Sequence, residues 1–588
     1  MKKIGYLNLL LFIFISTCLM SCKSNNEEIG SGVSGQSWLN KEPLEITTEA
    51  PLQVVFNAAS SWSASSNSSW CKITPTTGDR GQNIIKLTAT STTDKDRTAI
   101  ISISVKGYSD VSFSVIQKAL DPSLTTEDME VNKAVYDYLS EMYLWNDEYK
   151  TLSLDNTKDY QSFFSDALLS MNTNTLDKKL ESDGKYYIFS YIEKLNTINS
   201  VSSTGSRATK YIDKELAYSF GFTGITPIRV ATETGDYVYF SIEGIYPDSP
   251  ASNAGLKRGT LINKIDGTDI SVSNWYTQYT KLMGPANVIS VNVTSDGKEV
   301  GLTSKAMYCN PILLSKVLTE GTHKIGYLVY SSFDAGFDEE LFNVFKDFKS
   351  QNITDLILDL RYNGGGHTIS ANMIATCVAG NYAKDKVFTK YRYNAERMKV
   401  LNGIMDEDLF ATSTYSNLGV SLSDGFLGLK KIYCIVGNNT ASSSELVINS
   451  LRGIDIDVVL IGEKTVGKNV GMEYTEKTIR NNKYRIVPIT FQSYNAKGFG
   501  DYQGGFEPIP SLIIDETNPL NQTNVFYNYR DFGTNNEPLY AKAVELITGV
   551  KLSVTSRSYQ PTLLKGNTIK VSAKHRLGFD GMLKKAKE

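Results

Sequence analysis

Ser442, Ser443 and Ser444 follow an apolar, β-branched run that ends at Gly437. A helical pattern begins at about Ser444, so a serine hydroxyl stands where a strand passes into a helix N-terminus. Unpaired backbone N–H groups and the positive end of the helix dipole gather at such a place and can stabilise an oxyanion. Farther on, after the apolar run Val458 to Ile461, Lys468 lies among Gly462, Gly467 and Gly471, with Val466 and Val470 close by. A serine with a lysine base is one way to build an acyl-transferring hydrolase, because a hydroxyl is a weak nucleophile until a base takes its proton. A lysine serves only if its pKa is lowered, and burial among valines and glycines works in that direction. The plainer alternative is a Ser442 that caps a helix and a Lys468 that is a solvated loop residue.

The elements around these residues alternate. Lys324 to Tyr330 reads as a strand, Asp338 to Phe348 as an amphipathic helix, and Asp355 to Leu360 as a buried strand. Gly364, Gly365 and Gly366 follow, then a helix from about Thr368. Alternating strands and helices indicate an α/β layer domain. Glycines at 364–366 let the backbone come close to a substrate carbonyl. His367 follows them and is the one histidine placed to join a serine site.

Three segments together carry a family resemblance. Asp359, Arg361 and Gly364–Gly366, then Thr440 to Glu445, then Gly462 to Lys468, resemble the motifs of the C-terminal processing (tail-specific) serine peptidases. The resemblance implies a crotonase-like αββα peptidase core over residues 307–545 and serine endopeptidase activity that uses no cofactor. It further implies that Ser442 is the nucleophile, with Ser443 and Ser444 as its rivals, and Lys468 the general base. The N–H groups of Ser443 and of Gly365 or Gly366 would form the oxyanion hole. Met472 stands where many members carry a glutamine that orients the lysine, which leaves Asn469 and Glu473 as candidates for that task.

Upstream, residues 205–306 resemble a PDZ domain. Ser219, Phe220, Gly221 and Phe222 match its carboxylate-binding loop, and Ile245 to Gly267 matches the segment after its central strands. A peptide C-terminus would add there as an extra strand, unless the chain closes its own groove. Residues 120–204 read as a helical segment, from Val131, Val135, Leu139 and Met142 at helical spacing, with a Ser/Thr/Gly linker from Thr197 to Thr209. Residues 39–119 alternate like a small β-sandwich and resemble a BACON domain through Trp62, Trp70, Asp96, Arg97 and Gln117. Such domains are linked with glycan contact; Trp62 and Trp70 themselves read as core.

At the N-terminus, Lys2 and Lys3 precede a short apolar run, and Leu19 to Cys22 resembles a lipobox. Residues 1–22 are therefore expected to be a lipoprotein signal, Cys22 a lipidation site, and 23–38 a flexible tether to the cell envelope. Residues 546–588 form a C-terminal extension. With 588 residues the chain is expected to hold several domains, and its net charge of −3 argues against nucleic acid as a partner. Cys71, Cys309, Cys377 and Cys434 are scattered singly and read as buried free thiols. The expected partners are protein or peptide substrates with free C-termini, with a lipid anchor as the membrane contact. The alternative function is a non-catalytic peptide- or glycan-binding envelope lipoprotein on the same scaffold.

Overall fold

The computed structural model describes residues 32–34, 43–46, 51–89, 95–118, 126–180, 184, 186–195, 214, 216–232, 235–552, 563–569 and 582–585. The expected signal, Cys22 and the linker 197–209 lie outside the described residues. The chain divides into two compact units, residues 1–121 with 153–155, and residues 122–152 with 156–588.

The first unit is the expected sandwich. One sheet runs Val33–Ser34, Leu52–Ala58, Gly81–Ala89, Cys71–Thr74; the other runs Leu44–Glu45, Val111–Gln117, Arg97–Val105, Trp62–Ser66, Thr77–Gly78. Alternate residues of each strand face inward, and Val54, Phe56, Ile85, Ile101 and Val115 fill the space between the sheets. Trp62 is core, edge-on to Phe56 with ring centroids 5.0 Å apart. Trp70 packs against the core and the Arg97 guanidinium lies 4.4 Å from its ring centroid, so neither ring is a bare platform for sugar. The expected tether is shorter at its end: Val33–Ser34 pairs with Asn57 and Ala58, because Val33 gains a buried site in this core.

In the second unit, helices Thr126–Met142, Asn146–Tyr149 and Tyr160–Ser170 fulfil only part of the helical expectation for 120–204. Lys178–Leu180 and Tyr186–Ile188 form a hairpin, and Tyr191–Leu195 pairs with Asn482–Val487. Tyr186–Ile188 and Tyr191–Leu195 are short and contain Tyr and Ile, which favour a pleated surface, and the partner of Tyr191–Leu195 comes from far along the chain.

Residues 216–308 contribute to three small sheets and form the helices Pro250–Asn253 and Trp275–Met283 around Phe220, Phe240, Ile242, Tyr279 and Val293. Next comes a five-stranded sheet in the order Ile312–Glu320, His323–Tyr330, Asp355–Asp359, Lys431–Val436, Asp457–Gly462, parallel except at its first pair. Residues Leu328 and Tyr330 face helices Asp338–Ser350, Thr368–Ala379 and Ser443–Gly453, while Ile325, Tyr327 and Val329 face helix Pro538–Thr548. Burial on both faces explains why these strands read as continuous apolar runs. A second, largely antiparallel sheet contains Val470–Ile479 between Asn482–Val487 and Ile489–Tyr494.

Candidate active site

Ser442 sits between the strand Lys431–Val436 and the helix Ser443–Gly453, as expected, but it is not an ordinary cap. Its φ of 59° and ψ of −111° are a conformation that a serine adopts only under constraint. Its side chain makes no capping bond to the helix. It is fully buried, and its Oγ has no hydrogen-bond partner among the described residues. A buried, unsatisfied hydroxyl costs free energy and calls for a functional reason. The neighbouring hydroxyls are engaged: Ser443 Oγ donates to the Gly366 carbonyl at 2.6 Å, and Ser444 Oγ to the Asn363 carbonyl at 2.9 Å.

Glu445 holds the turn. Its Oε2 accepts from the Ser442 N–H at 2.9 Å and from the Lys468 N–H at 2.8 Å. Its Oε1 accepts from Thr465 Oγ1 at 2.6 Å and the Gly467 N–H at 2.7 Å. Burial pushes this carboxyl up, and the four donors pull it back only in part. Val466 N–H to the Thr440 carbonyl, 2.9 Å, adds a further tie between the serine turn and the lysine loop. Sequence reading noted Glu445 only as the end of a motif. The spacing Ser442 to Glu445 is that of a capping box, which was a legible signal for half of this arrangement.

Lys468 is buried, 3% exposed. Its Nζ lies 4.0 Å from Met472 Sδ and 4.5 Å from the ring centroid of Phe189. Its charge also lowers Asp177, whose carboxyl is pushed up by burial and held by Tyr143 OH at 2.7 Å and Ser190 Oγ at 2.6 Å. The two candidates for orienting the lysine are engaged elsewhere. Asn469 Nδ2 donates to the Gly500 carbonyl at 2.6 Å, and Glu473 pairs with Arg397. Sequence reading missed Phe189 because it lies far from Lys468 along the chain.

The glycine segment is stitched to the serine turn by Asn363. Its carbonyl accepts from the Ala441 N–H at 3.1 Å, its Oδ1 from the Gly365 N–H at 2.9 Å, and its Nδ2 donates to the Tyr330 carbonyl at 2.9 Å. Gly366 has a φ of 131°, and a Cβ there would fall 2.3 Å from the Phe333 carbonyl oxygen, so this position must be glycine. Beneath it, Arg361 is buried between Asp359, at 2.7 Å, and Glu537, at 2.8 Å. Glu516 accepts from Arg361 and from Arg258 of the 216–308 domain, both at 2.6 Å. His367 Nδ1 lies 3.2 Å from the Phe333 carbonyl and accepts from the Ala335 N–H at 3.3 Å, which makes it part of the frame under this loop.

In the loop Ser219–Phe222, Phe220 and Phe222 are core and Gly221 has a φ of 101°. The Gly221 N–H is donated within the loop, to Ser219 Oγ at 2.8 Å. Cys71, Cys377 and Cys434 are buried free thiols, whereas Cys309 is partly exposed. Among the described residues no helix is long and apolar enough to cross a membrane.

Residues 324–508 match peptidase family S41, residues 130–191 the peptidase S41 N-terminal domain, and residues 60–118 the BACON domain. The chain is 23% identical over 327 residues to carboxyl-terminal-processing peptidase 1, chloroplastic, of Arabidopsis thaliana, covering 52% of this chain and 60% of that protein. It is 26% identical over 284 residues to a carboxyl-terminal-processing protease of Synechocystis, covering 47% of this chain and 60% of the relative. The match thus spans 60% of the length of these two relatives. A crystal structure of a protein assigned as an S41 protease from Bacteroides fragilis superposes with a TM-score of 0.53 at 22% identity, over 71% of this chain and 97% of that one. That likeness is one of fold.

Proposed function

Given that the chain belongs to peptidase family S41, with that family's N-terminal domain and a BACON domain ahead of it, we propose that it is a serine endopeptidase of the bacterial cell envelope that cleaves proteins or peptides through an acyl-enzyme. Ser442 is the nucleophile and Lys468 the general base. Neutral Lys468 Nζ takes the Ser442 Oγ proton as Oγ bonds to the scissile carbonyl carbon. The carbonyl oxygen becomes an oxyanion, held by the Ser443 N–H at the head of the helix and by a glycine N–H. Gly366 suits that task better than Gly365, whose N–H is already donated to Asn363. The tetrahedral adduct then expels the amine, which takes the proton from Lys468, and water releases the acyl group by the same route. Burial of Lys468 beside Phe189 and Met472 works toward the neutral base, against the pull of the Asp177 carboxyl.

The observation that carries this reading is the constrained, buried Ser442 whose hydroxyl has no hydrogen-bond partner among the described residues. In this reading the core is crotonase-like, and residues 216–308 are a PDZ domain that receives substrate C-termini near Ser219–Phe222. Residues 1–22 direct export, and Cys22 carries the lipid. The test is cleavage of casein by the wild-type chain beside Ser442→Ala and Lys468→Ala, with circular dichroism to confirm folding. Loss of turnover in both variants supports the dyad, and turnover that survives both overturns it.

A further inference from the structure

The C-terminal extension contains a strand, Met582–Lys585, that lies beside the site just described. It pairs in parallel with Gly366–His367 on one side and with Met472–Tyr474 on the other. One flank is therefore the glycine segment at the serine turn. The other is the strand that begins two residues after Lys468. Met472 pairs on its opposite edge with Ile489, so Met582–Lys585 takes an edge that the sheet itself leaves open. Gly366, His367, Met472 and Glu473 are all buried in this arrangement. Buried edges of this kind need backbone partners, and a gap one strand wide between two edges accepts any extended polypeptide.

The same extension fills a second edge. Asn567–Thr568 pairs antiparallel with Ile228 and Arg229, on the strand that follows the Ser219–Phe222 loop. The Ile569 N–H donates to the Pro227 carbonyl at 2.8 Å, and its side chain packs on the core of that domain together with Trp275. A Cβ on Gly566 would lie 2.5 Å from the Arg229 carbonyl oxygen, which marks how closely the two backbones approach. Main-chain pairing at a sheet edge is a general mode of peptide capture, and here the captured peptide is the protein's own.

We infer that the slot between Gly366–His367 and Met472–Tyr474 is a seat for an extended polypeptide, and that residues 582–585 occupy it as an intramolecular ligand in competition with substrate. The competition with substrate rests on the peptidase reading above; the seat and its occupant do not. A tethered strand competes at an effective concentration on the order of millimolar, so it raises the apparent KM of a free substrate without touching the chemical step.

The experiment uses the full chain with Leu583→Pro, which removes a backbone donor from the middle of the strand. Casein-derived fluorogenic peptide is turned over by wild type and by this variant. In parallel, a fluorescein-labelled peptide with the sequence of residues 578–588 is titrated into Ser442→Ala and into Ser442→Ala/Leu583→Pro, read by anisotropy. The expected result is an apparent KM about tenfold lower for Leu583→Pro at unchanged kcat. The labelled peptide should also bind the double variant about tenfold more tightly than Ser442→Ala alone. Equal KM and equal peptide affinity in the two backgrounds would overturn the inference. If no form turns over substrate but the affinity contrast appears, the seat stands and the peptidase reading falls.

Discussion

The backbone N–H groups of Ser442 and Lys468 donate to the same oxygen, Oε2 of Glu445, at 2.9 and 2.8 Å. Two residues from separate loops are thereby fixed to one point on the helix Ser443–Gly453. A carboxylate serves because both of its oxygens only accept, and all four of its partners are donors.

Glu445→Gln keeps the shape but turns an NH2 toward N–H donors. The serine and lysine loops should then drift apart by fractions of an ångström. Displacements on the order of 1 Å cost about a hundredfold in rate. The expected outcome is a fall in kcat of about ten- to a hundredfold, with KM little changed and the far-ultraviolet spectrum retained. Steady-state kinetics on a fluorogenic peptide checks it.

The Arg361 guanidinium lies between two fully buried carboxylates, those of Asp359 and Glu537. Burial pushes Asp359 up, and Arg361 opposes it only in part; at Glu537 burial also pushes up, but Arg361 together with Arg258 and the Tyr540 N–H holds the carboxyl down. Arg361→Met should therefore leave two buried acids without their cation and destabilise the chain by about 3–5 kcal/mol. Urea unfolding, followed by tryptophan fluorescence, measures this directly. A change under about 1 kcal/mol would mean the network contributes little.

The motif residues and the strand and helix that present Ser442 were legible from sequence. Apolar runs bounded by glycines mark strands buried on both faces, and these were read correctly around Asp355 and Lys431. What lay out of reach was set by contacts distant along the chain. Phe189 meets Lys468 only because Tyr191–Leu195 joins the second sheet, and that segment was read as helix. The ties from Asn363 to Ala441 and Ser444 depend on how two loops meet, which no local pattern records. The strand Met582–Lys585 is short and basic, and only its partners' open edges reveal it.

Asp338 offers a pH test. Burial pushes its carboxyl up to about 7, against hydrogen bonds from Ser370, Tyr415 and Asn417. An unfolded aspartate titrates near about 3.9, so between about pH 4 and 7 the native state holds a proton that the unfolded state has lost. Stability contributed by this group is present below that window and declines as pH rises through it, by at most about 1.4 kcal/mol per unit. Asp338→Asn removes the titration. The Tm difference between wild type and variant should shift against wild type from pH 5 to pH 7.5 and then level off. A constant difference across that range would contradict the assignment.

The central claim is that Ser442 is the nucleophile, and the most direct measurement is covalent labelling. The wild-type chain and its Leu583→Pro form are treated with a fluorophosphonate, digested, and mapped by mass spectrometry. The account predicts a phosphonyl adduct on Ser442, absent from Ser442→Ala and slowed by Lys468→Ala. An adduct on Ser443 or Ser444, or none in either form, would contradict it.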